Sequence, residues 1–354
     1  MVRLGIAGLG YWGPNFERTF ANLADSEITA LCDLNEKRLQ HGVEKMPGVF
    51  ATRDFDELLQ KDIIDAVVIV TPTKTHFSLT KKALEAGLHV FVEKPLATST
   101  RESQILVDLA EKHDLILFIG HLFLYNAAVQ KMKALVTSGE LGDICYINSQ
   151  RLNLGPIRQD VNALWDLAPH DISIMLDLIG SSPVSVNCQG LAYLNEKVHD
   201  VCTLTMHFEP KKMAVINVSW LDPSKTRLMT VVGENKMATF NDMEPLEKIR
   251  IYNKRVKTEP YTDSFDEFQF SCQYGDTLSP WLNQVEPLKA ECQHFLDCVQ
   301  TGKKPITDGQ NGLEVVKILE AADISLRNHG KMVQLNEIEH FSSQKMADIA
   351  KEVA

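Results

Sequence analysis

Val2-Arg3-Leu4-Gly5-Ile6-Ala7-Gly8-Leu9-Gly10-Tyr11-Trp12-Gly13 stands at the head of the chain, and its reading decides the fold. A buried strand, Val2 to Ala7, runs straight into a G-x-G-x-x-G turn. A helix pattern follows, and then a second apolar run, Ile28 to Cys32, that ends at Asp33. An acid about 20 residues beyond the glycines is where a dinucleotide-binding unit keeps its ribose-binding carboxylate. Gly8 serves the tight turn, Gly10 lets the backbone approach a pyrophosphate, and Gly13 lets helix and strand pack closely. The helix start offers unpaired N–H donors and the positive end of a dipole. Asp33 can accept from both adenosine ribose hydroxyls and repels a 2′-phosphate, so the expected cofactor is NAD rather than NADP. Tyr11 and Trp12, inside the turn, belong to the same expected cofactor site.

Outward from this unit, strand and helix patterns alternate. Glu36 to Lys45 reads as helix, Val49 to Thr52 as a short strand, and Asp54 to Gln60 as a short helix with Asp54 as N-cap. Ala66 to Val70 is a β-branched run suited to a strand covered on both faces. His76 to Ala86, Val90 to Val92, Thr98 to His113 and Leu115 to Ile119 continue the alternation. Such a series predicts a doubly wound parallel sheet, a Rossmann domain over 1–121, with its ligand at the carboxyl ends of the strands.

After Gly120 the pattern changes. A helix over Ala127 to Ser138 precedes long alternating runs at 144–152, 184–194, 201–208, 213–220, 226–232 and 237–240. These predict an α/β domain over 122–340 with an open, mostly antiparallel sheet. A helix at Asp166 to Ile179 interrupts the strands, and Leu288 to Gln300 and Gly309 to Asn328 read as late helices. Arg255 to Pro287 is aromatic and polar without clear period and reads as an excursion over the sheet. A tail over 341–354 is amphipathic. Val215, Val218 and Trp220 are candidates for an outward-facing apolar sheet face, which predicts a homodimer or homotetramer.

With 354 residues, 44% of them hydrophobic and 23% charged, the chain is long enough for two cored domains. Its net charge of −11 argues against non-specific nucleic-acid binding, which needs a basic face. No apolar run approaches the roughly 20 residues that span a bilayer, and the first strand begins too early for a signal peptide. Seven cysteines without a CxxC pair predict reduced thiols, a cytoplasmic protein and no metal site.

Three segments fall where chemistry is expected. Thr71-Pro72-Thr73-Lys74-Thr75-His76 follows the Ala66–Val70 strand, beside the cofactor. It reads equally as a capping loop with Thr75 as N-cap. Glu93-Lys94-Pro95 follows the next strand, which points Lys94 at the nicotinamide, where an ammonium can bind a substrate hydroxyl and stabilise its alkoxide. A surface lysine paired with Glu93 is the plain alternative, and Pro95 is a candidate cis-proline. In Trp165-Asp166-Leu167-Ala168-Pro169-His170, the proline belongs in the first turn of a helix, Asp166 reads as a possible N-cap and His170 as a base matched to neutral pH.

These pieces, with the helix segment FLYNAAVQKMKALVTSGELGDI, resemble the glucose–fructose oxidoreductase / inositol dehydrogenase / rhizopine catabolism (Gfo/Idh/MocA) family in order and spacing. The resemblance implies an NAD-dependent oxidoreductase acting on a CH–OH group, with Lys94 and His170 as the catalytic pair and Asp166 binding or orienting substrate. It places Thr71, Pro72, Thr73, His76, Glu93 and Lys94 against the cofactor. Within the family, the stretch Asn153 to Ile174 resembles members that oxidise the C3 hydroxyl of nucleotide sugars. That implies UDP-N-acetylglucosamine as substrate and a pyridoxal-phosphate aminotransferase as the next enzyme of the pathway. Arg151 and Arg158 are candidates for its pyrophosphate. Tyr125, Asn126, Asn153 and Trp165 are candidates for its sugar or base, with a core role for Trp165 equally open. The alternatives are UDP-N-acetylglucosaminuronic acid, an inositol or a free sugar, and, more distantly, a non-catalytic NAD-binding regulator.

Overall fold

The computed structural model describes residues 1–60, 62–159, 161–196, 198–258, 270–283 and 285–338. The chain folds into two compact units, one of Met1–Tyr125 with Val285–Glu320, the other of Asn126–Gln284 with Ala321–Asn336. The expected tail over 341–354 lies outside the described residues.

The first unit contains β1 (Val2–Ala7), α1 (Gly13–Ala21), β2 (Ser26–Cys32), α2 (Glu36–Lys45), β3 (Phe50–Thr52), α3 (Phe55–Leu58), β4 (Ala66–Ile69), α4 (Thr73–Glu85), β5 (His89–Glu93), α5 (Thr100–Lys112) and β6 (Leu117–Gly120). Six strands run parallel in the order β3-β2-β1-β4-β5-β6, so the chain reverses its winding between β1 and β4. Ligands of such sheets bind at that crevice. Every residue of β4 is fully buried, as its unbroken apolar sequence requires. Local chemistry sets the helix starts. Asn35, Asp54 and Ser99 each accept a backbone N–H within the first turn of α2, α3 and α5. Thr75 does not cap α4. That helix begins at Thr73 with Pro72 before it, and the Thr75 hydroxyl binds Thr71 and the Pro72 carbonyl instead.

One helix of this unit comes from far along the chain. Sequence order assigns the segment Pro287–Thr301 to the second domain, but Phe295 on it packs edge-on against Phe91 and Phe118 of β5 and β6, at centroid distances of 5.5 Å each. Those two rings stack on each other at 4.9 Å. Aromatic burial of this kind supplies a large part of the unit's hydrophobic stabilisation.

The second unit contains α6 (Ala127–Thr137), β7 (Ile144–Leu154), α7 (Ala163–Ile179), β8 (Ser185–Leu191), β9 (Val201–Phe208), β10 (Lys212–Ser219), β11 (Leu221–Gly233), β12 (Met237–Asn241), β13 (Ile249–Thr258) and β14 (Phe270–Leu278). After α8, the label taken by Pro287–Thr301, and α9 (Gly309–Arg327), β15 (Val333–Gln334) adds one short strand. The nine strands run β14-β13-β12-β11-β7-β10-β9-β8-β15, and every pairing is antiparallel except β7 with β10. One of these strands, β14, falls in the stretch read as an excursion, and β13 runs into its start. β14 is the edge of the sheet beyond β13, with Tyr274 and Leu278 exposed, so no buried stripe marks it in the sequence.

The buried face of β10 is Ala214, Ile216 and Val218, and α7 packs on it. Val218 and Trp220, expected to face outward, are 0% and 1% exposed. A strand of period two must put Val215 on the other face, and there Met213 pairs with Tyr146 in register, at 40% and 41% exposure.

Candidate functional site

In the first unit a cavity of about 650 Å³ opens at the carboxyl ends of β1, β2 and β4. Gly8, Gly10, Tyr11, Trp12, Asp33, Thr71 and Pro72 line it; Gly13, Thr73 and His76 do not. The three glycines divide the work. Gly8 has φ +98°, and a Cβ there would meet the Val70 carbonyl oxygen at 2.6 Å. At Gly13 a Cβ would sit 2.3 Å from the Gly8 oxygen, so the helix can start against the turn only without a side chain. Around Gly10 the space is open apart from Arg38 Nη1 at 3.7 Å. Trp12, the N-cap of α1, supplies no side-chain acceptor to the first turn. An open glycine beside uncapped N–H groups suits a pyrophosphate.

Asp33 is fixed before any ligand arrives. Its Oδ2 accepts the Leu9 N–H and its Oδ1 the Asn35 N–H, both at 2.7 Å. Each oxygen keeps acceptor capacity for ribose hydroxyls. Arg38 Nη1 stands 3.9 Å from Oδ2, and Arg53 also lines the cavity. These residues fit NAD, which supplies a hydride acceptor when bound.

The neighbouring loop carries Glu93, Lys94 and Pro95, and the Lys94–Pro95 bond is cis. The Glu93 carboxyl packs against Gly120 and accepts the Lys94 backbone N–H at 3.1 Å. Burial pushes it up to about 7, opposed by the Lys94 charge and hydrogen bonds from the Lys94 backbone and Trp12. His76 is 1% exposed, with Nδ1 2.7 Å from the Pro95 oxygen and Nε2 2.8 Å from the Thr71 oxygen. Two groups here escaped the sequence reading. His121, directly after β6, is fully buried, and burial together with the Lys94 charge pushes it down to about 3, so it is neutral. Glu291 on α8 is also fully buried, and neither of its oxygens has a hydrogen-bond partner among the described residues. Burial and the Glu93 charge raise it well above the carboxylate range. The signal for His121 was its place at a strand's carboxyl end. For Glu291 there was none, because only the return of α8 brings it here.

In the second unit the residues gather on α7. Asp166 and His170, at i and i+4, share one helix face. Asn162, not Asp166, caps the helix, by accepting the Trp165 N–H at 3.0 Å. Pro169 sits inside the helix rather than in its first turn. Asp166 is held instead by Arg158 Nη1 and by the Trp220 ring N–H, both at 3.2 Å. His170 is half-buried.

Several expected substrate contacts are corrected by this geometry. Arg151 is 4% exposed and donates through Nε to Asp171 at 2.5 Å, so it is a buried ion-pair partner and not a phosphate fork. Trp165 is 9% exposed and its ring N–H binds Asp323 at 2.9 Å. In the same unit Asn126 caps α6, its side chain accepting the Ala128 N–H. Tyr125, in the first unit, is 5% exposed with its hydroxyl 3.2 Å from Thr307 Oγ1. Asn153, near the end of β7, and Arg158 are partly exposed.

A parallel sheet with this winding, a glycine turn with open space at Gly10 and a carboxylate fixed in the same cavity suit a dinucleotide. Residues 2–121 match the model described as "Oxidoreductase family, NAD-binding Rossmann fold", and residues 129–239 match the "GFO/IDH/MocA C-terminal domain". The chain belongs to the Gfo/Idh/MocA oxidoreductase family. It is similar to UDP-N-acetylglucosamine 3-dehydrogenase of Acidithiobacillus ferrooxidans, at 27% identity over 89% of this chain and 94% of that protein. A solved structure of that enzyme superposes with a TM-score of 0.77 at 25% identity, covering 93% of this chain and 98% of the other. Myo-inositol 2-dehydrogenase of Thermotoga maritima is 25% identical over 95% of this chain and 99% of its own. The fold is also that of scyllo-inositol dehydrogenase from Lactobacillus casei, solved with NAD(H) and scyllo-inositol (TM-score 0.77, 20% identity, covering 95% and 99%). Among the described residues no helix is long and apolar enough to cross a membrane.

Proposed function

We propose that the protein oxidises the C3 hydroxyl of UDP-N-acetylglucosamine to a ketone, with NAD taking the hydride. The observation that carries this reading is the likeness to UDP-N-acetylglucosamine 3-dehydrogenase, which runs through nearly the whole chain in both sequence and fold. In the reaction the C3 carbon gives up a hydride and the hydroxyl oxygen gives up a proton. His170 is the base that takes that proton, and the Lys94 ammonium stabilises the oxygen as charge develops on it. Asp166, held by Arg158 and Trp220, orients the sugar. Arg158, the more exposed of that pair, is the remaining candidate for the substrate's pyrophosphate.

A second reading, an inositol dehydrogenase, is favoured by the likeness to myo-inositol 2-dehydrogenase. It uses the same Lys94, His170 and Asp166 and leaves Arg158 without a phosphate. The two separate in one experiment. Protein and NAD are incubated with UDP-N-acetylglucosamine, its C6 carboxylate, inositols and free sugars, while NADH is read at its absorbance band and the ketone trapped. A 3-keto nucleotide sugar supports the first reading; turnover of inositol with none of the UDP-sugars sinks it. The ketone product suits a pyridoxal-phosphate aminotransferase as the next enzyme, and the open face of the nine-stranded sheet suits a homodimer or homotetramer.

A further inference from the structure

The His76 ring lies between two carbonyl oxygens, that of Pro95 at 2.7 Å from Nδ1 and that of Thr71 at 2.8 Å from Nε2. A carbonyl oxygen can only accept. A neutral imidazole carries one N–H and one lone pair, so one of these contacts would set lone pair against lone pair. Turning the ring over does not relieve this. It would place C–H groups at the same distances, shorter than the roughly 3.3–3.6 Å of even a C–H···O contact. Only an imidazolium, with both nitrogens donating, satisfies both partners. Short N–H···O distances are also what a charged donor gives.

We infer that His76 is held as a buried imidazolium that ties the cofactor loop at Thr71 to the Lys94–Pro95 loop, and so acts as a positioning residue for Lys94. Thr71 lines the dinucleotide cavity, and Pro95 directly follows Lys94 in the chain. One ring thus sets both loops at the carboxyl ends of adjacent strands β4 and β5. Burial disfavours the charge, and two charge-assisted hydrogen bonds oppose that. Charged groups on the segments that hold the ring are Lys74 on α4, Glu93 and Lys94 at the end of β5, and Glu102 at the start of α5, which itself binds Thr98. The inference about Lys94 rests on its proposed place at the reacting hydroxyl.

The test has two parts. The first needs no substrate: the full protein is labelled with 15N-histidine, and the His76 ring, assigned by its loss in His76→Gln, is followed from about pH 6 to about pH 8.5. Both ring nitrogens protonated throughout is the expected result; a neutral tautomer near pH 7 overturns the inference, whatever the substrate proves to be. The second compares His76→Gln, which can donate to one carbonyl but carries no charge, with wild type on the substrate that wild type turns over. Turnover should fall about tenfold or more, while NADH affinity, read by fluorescence, stays within about threefold. Unchanged turnover removes the positioning role. If His76→Gln does not fold, His76→Asn serves for the assignment, and the labelled wild-type ring still decides the charge. Failure of UDP-N-acetylglucosamine to react overturns only the proposed substrate.

Discussion

Arg151 Nε lies 2.5 Å from Asp171 Oδ2, with both side chains 5% exposed, and this pair fastens α7 to β7. Ser149 Oγ donates to the other carboxylate oxygen at 2.7 Å, so the buried anion has a partner on each side. Breaking such a pair leaves an uncompensated charge in the interior. Asp171→Ala should lower stability by about 3–5 kcal/mol. Replacing both partners by apolar residues, Arg151→Met with Asp171→Leu, should cost distinctly less. Urea unfolding of the three proteins checks this; equal losses would mean that the pair is not what holds α7.

Asp33 is expected to set the cofactor choice. Two backbone hydrogen bonds fix its carboxylate in the cavity that Arg38 and Arg53 also line. Removing the negative charge leaves those guanidiniums facing a 2′-phosphate. Asp33→Ser should therefore lower the NAD-over-NADP preference by about tenfold or more, measured as the ratio of dissociation constants. An unchanged ratio would take Asp33 out of the ribose site.

For the chemical step, Lys94→Ala and His170→Ala should each reduce turnover by about 100-fold or more while leaving NADH binding intact. Either variant turning over near the wild-type rate removes that residue from the mechanism. A parallel loss of NADH affinity would mark a structural defect instead.

Glu291 makes the protein's stability depend on pH in a stated direction. Its folded carboxyl titrates well above the ordinary carboxylate range, because burial and the nearby Glu93 disfavour its charge. A raised folded value means that the native state holds this proton more tightly than the unfolded chain. The contribution is fully present below the unfolded pKa of about 4.3 and is lost as pH rises towards the folded value. Glu291→Gln, which cannot ionise, should match wild type in melting temperature near pH 5 and exceed it near pH 8. A gap that is flat with pH contradicts the assignment.

The exposed Met213–Tyr146 pair on the open sheet face offers a check on assembly. Wild type is expected to sediment as a dimer or tetramer at micromolar concentration. Tyr146→Glu, which charges the middle of that face, should shift it towards monomer without changing its melting profile at low concentration. A monomeric wild type ends the proposal.

Much of this molecule could be read from local sequence because its causes are local. The glycine turn, Asp33, the cap Asp54 and the all-apolar β4 each act through neighbours a few residues away, so spacing alone carried the Rossmann topology. Alternating runs likewise marked most of the antiparallel sheet. What tertiary structure decided were matters of partnership across the chain. Arg151 looks like a phosphate-binding arginine until Asp171 meets it, and of the two roles open to Trp165, stacking or core, its burial and its bond to Asp323 favour the core. Which face of β10 is buried depended on where α7 lay, and that put Val218 and Trp220 inside. β14 was missed because a solvated edge strand needs no buried stripe. His76 shows the division most plainly. The sequence places it in the loop beside the cofactor, but its charge follows from two carbonyl oxygens, one of them 19 residues away, and only the folded chain brings both within reach of one ring.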